Sequence, residues 1–313
     1  MQTFLSFEYM DLHLGIAVSQ ELPLHQLISK AERPGRQHAA FAIEGSGYYL
    51  MKSRIAGASG AEPLASSGLL AHFPPRVLVM LHAGFGLALA EWYLGAADED
   101  ASGAGQSMEH FVELCQRNSQ AGYDGIIFEA LGFVARTIYP HLVDLIDRRL
   151  PAGEYPAYFW HGVGRGIYFA PENGSPFRSA PWKAFDMCLR EPPHQLGKRN
   201  TIAGLGWALT IINIGQPEIM AAFLRHHAAQ LTEDDAFTDG VCSAARMWRQ
   251  VSPGDSRLNA FPVYQRAYRR SISTELWERF VERPFAQALG DGSPLEGNRG
   301  PQEWFRYRAF SAA

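Results

Sequence analysis

The most regular feature of the chain is a short apolar run that leads into two small residues separated by one position. Six segments share it: Phe41–Gly47, Met80–Gly86, Ile126–Gly132, Tyr158–Gly164, Thr201–Gly206 and, as the weakest copy, Thr238–Cys242. Their first small residues fall at positions 45, 84, 130, 162, 204 and 240, so neighbouring copies lie 32 to 46 residues apart. Two-helix repeats have this period. The pattern therefore predicts about six diverged copies of one helical unit.

The small residues themselves indicate helices. Four copies add another small residue four positions on, giving Gly84/Ala88, Gly162/Gly166, Gly204/Ala208 and Gly240/Ala244. Residues four apart share a helix face, and missing side chains there let neighbouring backbones approach closely. Glycine costs about 1 kcal/mol relative to alanine inside a helix, so its repeated use indicates tight helix crossings or a ligand against the backbone.

A nucleotide-binding loop is the alternative interpretation of the glycines. The run Gly162-Val-Gly164-Arg165-Gly166 is superficially similar to the Gly-x-Gly-x-x-Gly fingerprint. Its third glycine is misplaced, and no strand-helix-strand pattern with a downstream acidic residue accompanies it. We therefore favour helix packing.

Further helices are predicted between and around the motif segments. Their expected spans are Phe7–Ser19, Pro23–Ala31, Gln106–Asn118, Pro140–Arg149, Trp182–Arg190, Pro217–Leu231 and Ser273–Leu289, the last kinked or split by Pro284. Gly95–Gly105, Ala170–Ala180, Glu191–Lys198 and Val251–Ala260 are expected loops.

The predicted fold class is all-α, with about six two-helix repeats forming a curved solenoid or a closed helical ring and the motif helices as its inner layer. The expected organisation is an N-terminal helical cap or degenerate repeat (1–40), a six-repeat core (41–265), a C-terminal helix (266–289) and a flexible tail (290–313).

Composition narrows the function classes. The 313 residues are 47% hydrophobic and 19% charged, which suits a large core, and a net charge of −4 without a basic block disfavours nucleic-acid binding. Cys115, Cys188 and Cys242 lie far apart, so no disulfide framework or zinc cage is predicted. The first twenty residues lack Lys and Arg and do not resemble a signal peptide. We expect a cytoplasmic protein without a membrane span.

Several blocks resemble a bacterial family, the domain of unknown function 1702 family, which is encoded beside enediyne and other polyketide synthases. The blocks are Phe41–Gly47, Leu81–Ala90, Phe159–Phe169, Ile202–Ala208 and Gly240–Trp248, within residues 30 to 265. The resemblance implies a role in specialised-metabolite biosynthesis and a polyketide synthase or carrier-protein partner. It implies no reaction and no agreed catalytic residues.

Candidate chemistry comes from the position just before the first small residue of each copy. Ionisable residues occupy it in four copies, namely Glu44, Glu129, His161 and Asp239. Equivalent positions in stacked repeats tend to face one surface, so these groups could converge for acid–base catalysis or to ligate a metal. Polar residues beside glycines can instead bond to loops or cap helices. No His-x-x-x-His or Glu-x-x-His pair supports a metal, and no metal or cofactor is assigned.

Arg165 is the leading binding candidate because it follows Gly164 between Trp160 and Tyr168. It could clamp a carboxylate, a phosphate or a thioester-linked carrier, or it could form a structural salt bridge to Glu44, Glu129 or Asp239. The remaining binding candidates, each with core packing as its alternative role, are Trp160, Tyr168, Trp207 and His82.

The sequence thus predicts a tailoring enzyme or auxiliary protein of polyketide-type biosynthesis that acts on an apolar, conjugated small molecule. The alternative is a non-catalytic helical scaffold that binds a synthase or shields a reactive intermediate. A haem or non-haem iron protein using His161 is a third hypothesis that residue spacing does not support. Buried ionisable groups beside the glycines would favour a site, whereas a large exposed apolar patch would favour a scaffold.

Overall fold

The computed structural model describes residues 24–31, 36–57, 63–99, 107–170, 183–231, 234–264, 273–290 and 300–307. Within these ranges the secondary structure is helical and contains no strand, which confirms the predicted all-α class. The predicted helix over Phe7–Ser19 and the predicted loop over Ala170–Ala180, apart from Ala170 itself, lie outside the described residues. Of the predicted flexible tail, residues 291–299 and 308–313 also lie outside them.

The α-helices follow one another along the chain in a simple order. They are α1 (Leu24–Ala31), α2 (Arg36–Gly57), α3 (Pro75–Glu99), α4 (Met108–Arg117), α5 (Asp124–Ile138), α6 (Val143–Asp147), α7 (Tyr155–Tyr168), α8 (Ala184–Arg190), α9 (Gln195–Ile212), α10 (Pro217–Leu231), α11 (Ala236–Val251), α12 (Arg257–Ala260), α13 (Thr274–Trp277) and α14 (Arg283–Gly290). Short 3-10 helices cover Pro140–Leu142 and Pro301–Phe305, and a π-helical segment covers Glu278–Glu282.

Every copy of the small-residue motif lies in a long helix, as predicted. We call α2, α3, α5, α7, α9 and α11 the motif helices. The predicted intervening helices are present as α4, α6, α8 and α10, and the 3-10 turn at Pro140–Leu142 leads into α6. Residues 63–74, between α2 and α3, form turns instead of a helix. The predicted C-terminal helix is interrupted by the π-helical segment just before Pro284, which lacks the N–H that a regular helix would use there.

Three predicted loops are partly helical. Helix α3 continues through Gly95 to Glu99, since a single glycine costs only about 1 kcal/mol relative to alanine and the residues after it include two alanines, which favour a helix. Helix α9 begins at Gln195 because the His194 ring caps it, accepting the Gly197 N–H at 2.9 Å. Histidine is not among the preferred cap residues, so no local signal predicted this start. The third loop contains the single turn of α12.

Successive motif helices pack side by side in chain order, α2 on α3, α3 on α5, α5 on α7, α7 on α9 and α9 on α11. Their glycines lie directly against carbonyl groups of the next or the previous motif helix, where a Cβ would overlap the carbonyl oxygen. The pairs are Gly84 with Glu44, Gly162 with Glu129, Gly204 with His161 and Gly240 with Ala203. One register therefore recurs at four of the helix crossings.

The segment Gly300–Tyr307 is docked onto the motif helices and is well buried. Trp304 and Phe305 are almost inaccessible, and the 3-10 helix contacts α5, α7 and α11. Gln302 accepts the Gly125 N–H at 3.0 Å, and the Tyr307 N–H donates to Asn200 at 2.7 Å. This part of the predicted tail is thus integral to the packed structure.

One described helix is long and apolar enough to cross a membrane, Pro75–Asp98, and 83% of its apolar window is buried inside the protein. The bent pair formed by Asp124–Ile138 and Pro140–Asp147 would count as a second only if treated as one span. Buried core helices pass the same test.

Candidate functional site

Glu129, in the middle of α5, joins two side chains of α7. Its Oε1 is 2.9 Å from His161 Nδ1, and its Oε2 accepts a hydrogen bond from Arg165 Nη1 at 2.6 Å. His161 and Arg165 are four residues apart and so lie on one face of α7. Glu129 and His161 are each only 1% exposed. Three of the predicted candidates are therefore brought together in one buried cluster.

The hydrogen bonds define which nitrogen of His161 is basic. Arg165 has only donors, and Glu129 accepts from it, so the second oxygen of Glu129 is the acceptor for a proton on His161 Nδ1. The lone pair then lies on Nε2. Burial is the main cause that lowers the pKa of His161, and the Arg165 charge lowers it too, while Glu129 opposes both. His161 is therefore neutral at neutral pH, with Nε2 able to take a proton.

The Arg165 guanidinium contacts two aromatic rings. Its central carbon is 4.6 Å from the Trp207 ring centre and 5.1 Å from that of Phe133. Trp207 also packs on Phe305 and on His161, with ring centres 5.6 and 6.3 Å apart. Contacts with two rings restrict the orientation of the planar cation. The position of the Arg165 guanidinium is therefore set by Phe133, Trp207 and Glu129 together.

Glu44, on α2, is electrostatically coupled to the same cluster. The pKa of Glu44 is raised to about 7, chiefly by burial of its carboxyl group; the Arg165 charge acts in the opposite direction, and Glu129 adds a smaller upward contribution. Part of the residue still reaches the surface, and no side chain or backbone group of the described ranges hydrogen-bonds its carboxyl. Glu44 can therefore gain or lose a proton near neutral pH.

The remaining predicted site residues lie in different surroundings. Asp239 is buried at the matching position on α11. His82 Nδ1 is 2.7 Å from the Leu78 carbonyl, and its Nε2 accepts the Gln120 N–H at 3.1 Å, so both ring nitrogens are used by backbone groups. Trp160 donates to Asp147 at 2.6 Å, and the Tyr168 hydroxyl accepts from Asn213 at 2.9 Å. We therefore leave His82, Trp160 and Tyr168 out of the site.

The six motif helices have a second set of equivalent positions, each four residues after the position that precedes the first small residue. The residues there are Tyr48, Leu87, Phe133, Arg165, Trp207 and Ser243, which we call the second row. The contacts of Arg165 with Phe133 and Trp207 join consecutive members of this row. Sequence reasoning overlooked Ser243 and Phe305. The four-residue spacing could have indicated Ser243, whereas Phe305 lies outside the motif and offered no signal.

Two polar atoms of the second row are buried without a partner in the described part of the chain. They are the Trp207 indole Nε1 and the Ser243 hydroxyl. Trp207 is 6% exposed and Ser243 is 1% exposed. Buried donors are nearly always hydrogen-bonded in native proteins, so such exceptions require an explanation.

Metal-ligating residues do not cluster in the described ranges, where no group of three or more His, Cys, Asp or Glu side chains could hold an ion. Cys115, Cys188 and Cys242 are buried there as free thiols, and burial raises the pKa of Cys115 and Cys188. These two thiols are consequently poor nucleophiles.

Comparison with known proteins returned no match to this chain, whether against models of protein families, curated proteins or solved structures. A reaction can therefore be inferred only from the chemistry of the cluster itself.

Proposed function

We propose that this chain is an acid–base tailoring enzyme of specialised-metabolite biosynthesis that acts on an apolar, conjugated intermediate. The observation that carries the proposal is that the buried carboxylate of Glu129 accepts two hydrogen bonds, one from His161 and one from Arg165. Burying ionised groups is expensive, so such a cluster beside glycines favours a functional site over a plain core. The biosynthetic setting follows the family resemblance of the motif blocks.

In this proposal His161 Nε2 removes a proton from the substrate. Glu129 would stabilise the imidazolium that forms, because it already holds Nδ1–H. Glu44, which holds a proton near neutral pH, would return one to another position of the conjugated system. The net reaction is an isomerisation by proton transfer, with Arg165 holding the polar end of the substrate. Asp239 remains a further acid–base candidate on α11.

We also propose that the six motif helices are copies of one repeat and close into a ring around this cluster. The recurrent glycine register between consecutive motif helices supports the repeat. Contacts of α11 with α3, and of Trp248 with Phe41 on α2 at a ring-centre distance of 6.2 Å, support closure. In a ring the first position of each motif and the second row would face a common interior.

The scaffold hypothesis predicts a broad apolar surface. The large hydrophobic side chains exposed in the described ranges are Tyr49, Leu69, Ile138, Phe169, Leu196 and Val263. They belong to six separate segments of the chain, whereas Glu129, His161 and Arg165 meet in one buried cluster. This distribution favours an enzyme.

The test replaces acid–base groups in the organism that encodes the chain and profiles its metabolites by mass spectrometry. His161→Asn keeps an amide donor for Glu129 but removes Nε2, and Glu44→Gln removes the titrating proton. We expect both variants to accumulate the same apolar intermediate as a gene deletion, while Glu113→Gln, at an exposed ion pair on α4, keeps the normal profile. Folded site variants that retain the normal profile would support the scaffold and refute the enzyme.

A further inference from the structure

The second row contains more hydrogen-bonding capacity than the protein uses. Arg165 donates to Glu129 through Nη1, and its Nε and Nη2 have no partner among the described residues. These two atoms form the side-on edge of the guanidinium, which matches the two oxygens of a carboxylate. Arg136 uses this same edge on Glu191, with distances of 2.8 and 2.9 Å. The corresponding edge of Arg165 is therefore available.

Trp207, whose ring lies against the Arg165 guanidinium, adds a buried donor to the second row. Its indole N–H has no partner in the described part of the molecule. The three fully buried tryptophans of the described ranges are all paired: Trp160 donates to Asp147, Trp248 to Asp255 and Trp277 to the Pro262 carbonyl. Among the buried indole nitrogens of the described residues, the unpaired N–H beside Arg165 is thus an exception, as expected where a ligand supplies the acceptor.

Ser243 lies next in the row. Gly204 packs on the His161 carbonyl and Gly240 packs on the Ala203 carbonyl in the same way. Helix α11 therefore sits on α9 in the same register as α9 sits on α7, which makes Ser243 the neighbour of Trp207 as Trp207 is the neighbour of Arg165. The Ser243 hydroxyl is buried and also lacks a partner in the described ranges. Three consecutive row positions therefore carry unused donors.

We propose that Arg165, Trp207 and Ser243 form a carboxylate-binding subsite, and that the ligand is an apolar, conjugated carboxylic acid. This inference rests on the proposed function in taking the same cluster as the ligand site. The Arg165 fork, formed by its Nε–H and Nη2–H groups, would donate to both carboxylate oxygens. The Trp207 indole N–H and the Ser243 hydroxyl would each donate to one of them. On the other side of Arg165 the row continues with Phe133 and Leu87, both partly accessible, which offer apolar surface to the body of the acid.

The cluster carries no net negative charge that would repel an added anion. Glu129 is matched by Arg165, and His161 is neutral because its pKa is lowered by burial. Glu44, with its pKa raised to about 7, is largely protonated below neutral pH. An ester or an alcohol of the same shape would leave part of the Arg165 fork unused, so a site of this kind discriminates strongly against it.

The test measures binding to the purified full chain by tryptophan fluorescence and calorimetry at pH 6. The probes are sorbic acid, a short conjugated dienoic acid, and parinaric acid, a long conjugated tetraenoic acid, each compared with its methyl ester. We expect at least one acid to bind about tenfold or more tightly than its ester, a difference of about 1.4 kcal/mol. Absence of acid binding, or equal affinity for acid and ester, overturns the proposal.

Matched variants locate the subsite. Arg165→Lys keeps the charge but removes the fork, and Trp207→Phe keeps a ring on Arg165 but removes the donor. Each should weaken acid binding about tenfold and weaken ester binding much less, so that the preference for the acid shrinks, whereas Trp160→Phe, a change at a tryptophan already paired with Asp147, should leave both affinities unchanged. Should Trp207→Phe fail to fold, Arg165→Lys and Ser243→Ala decide the question, and unchanged acid binding in both refutes the assignment.

This binding test is independent of turnover. Acid binding without an effect of His161→Asn or Glu44→Gln on the metabolite profile would leave the subsite valid and refute the acid–base function. Altered metabolite profiles without acid binding would support the acid–base function and refute the carboxylate subsite.

Discussion

Gly162 lies against the backbone carbonyl of Glu129, so close that a Cβ on Gly162 would overlap the carbonyl oxygen. The residue before Gly162 and the residue three positions after it are the two side chains that reach the Glu129 carboxylate. The glycine contact and the buried cluster are therefore two consequences of one helix crossing. The absence of a side chain at Gly162 brings α5 and α7 close enough for His161 and Arg165 to share one acceptor.

The first prediction concerns this crossing. Gly162→Ala should destabilise the protein by about 3 kcal/mol or more, because the new methyl group must displace backbone atoms of α5. Gly95→Ala, also in a motif helix, is the control. A Cβ there would meet only the Tyr139 hydroxyl at 3.5 Å, so alanine should raise the free energy of unfolding by up to about 1 kcal/mol. Urea denaturation followed by circular dichroism measures both; equal effects would contradict the close packing.

The second prediction concerns Glu129. Glu129→Ala removes the acceptor of His161 and Arg165 and leaves a mostly buried guanidinium without its counterion, so it should lower the free energy of unfolding by about 3–5 kcal/mol. Glu113→Ala, which breaks an exposed ion pair with Arg117, should change it by less than about 1 kcal/mol. Chemical denaturation at pH 7 compares the two. A small effect of Glu129→Ala would mean that Arg165 is readily solvated.

The third prediction concerns Glu44 and pH. Its pKa is raised from 4.5 to about 7 in the folded protein, so the folded state binds the proton more tightly than the unfolded state. The stability associated with that proton is fully present below pH 4.5 and is lost as the pH rises through 7. Ionised Glu44 then costs about 3 kcal/mol, because a difference of one between the folded and unfolded pKa values corresponds to about 1.4 kcal/mol.

Glu44→Gln should therefore become progressively more stable than the parent protein between pH 4.5 and 7, and the difference should level off above pH 7. Thermal or urea unfolding across this range measures it. A constant difference at all pH values would contradict the raised pKa of Glu44.

The fourth prediction contrasts two buried tryptophans. Trp160→Phe and Trp207→Phe remove the same volume, but only the first removes a hydrogen bond, the one to Asp147. Trp160→Phe should be the more destabilising of the two by about 1.5–3 kcal/mol, the usual value for a hydrogen bond to a charged group. Denaturation of the unliganded protein measures the difference. Equal losses would indicate that the Trp207 N–H is paired with another group.

The sequence by itself determined the helical class and the crossings. Gly84, Gly162, Gly204 and Gly240 stand out in the chain because helix-interior glycine is unfavourable, and their recurrence predicted close packing that the structure contains. The position before each motif pointed to Glu44, Glu129 and His161, and these three are coupled in the folded protein. Local spacing was sufficient here because one helical period relates all the equivalent positions.

Only the tertiary structure decided which groups are paired and which are left with unused donors. That Glu129 serves both His161 and Arg165, that Trp207 lacks a partner in the described ranges while Trp160 has one, and that Phe305 returns to pack on His161 all depend on contacts between distant segments. No local pattern encodes such contacts, since they are set by how whole helices and the Gly300–Tyr307 segment pack together. The physical reason is that hydrogen-bond pairing and burial depend on three-dimensional neighbours, whereas helix formation depends mainly on residues a few positions apart.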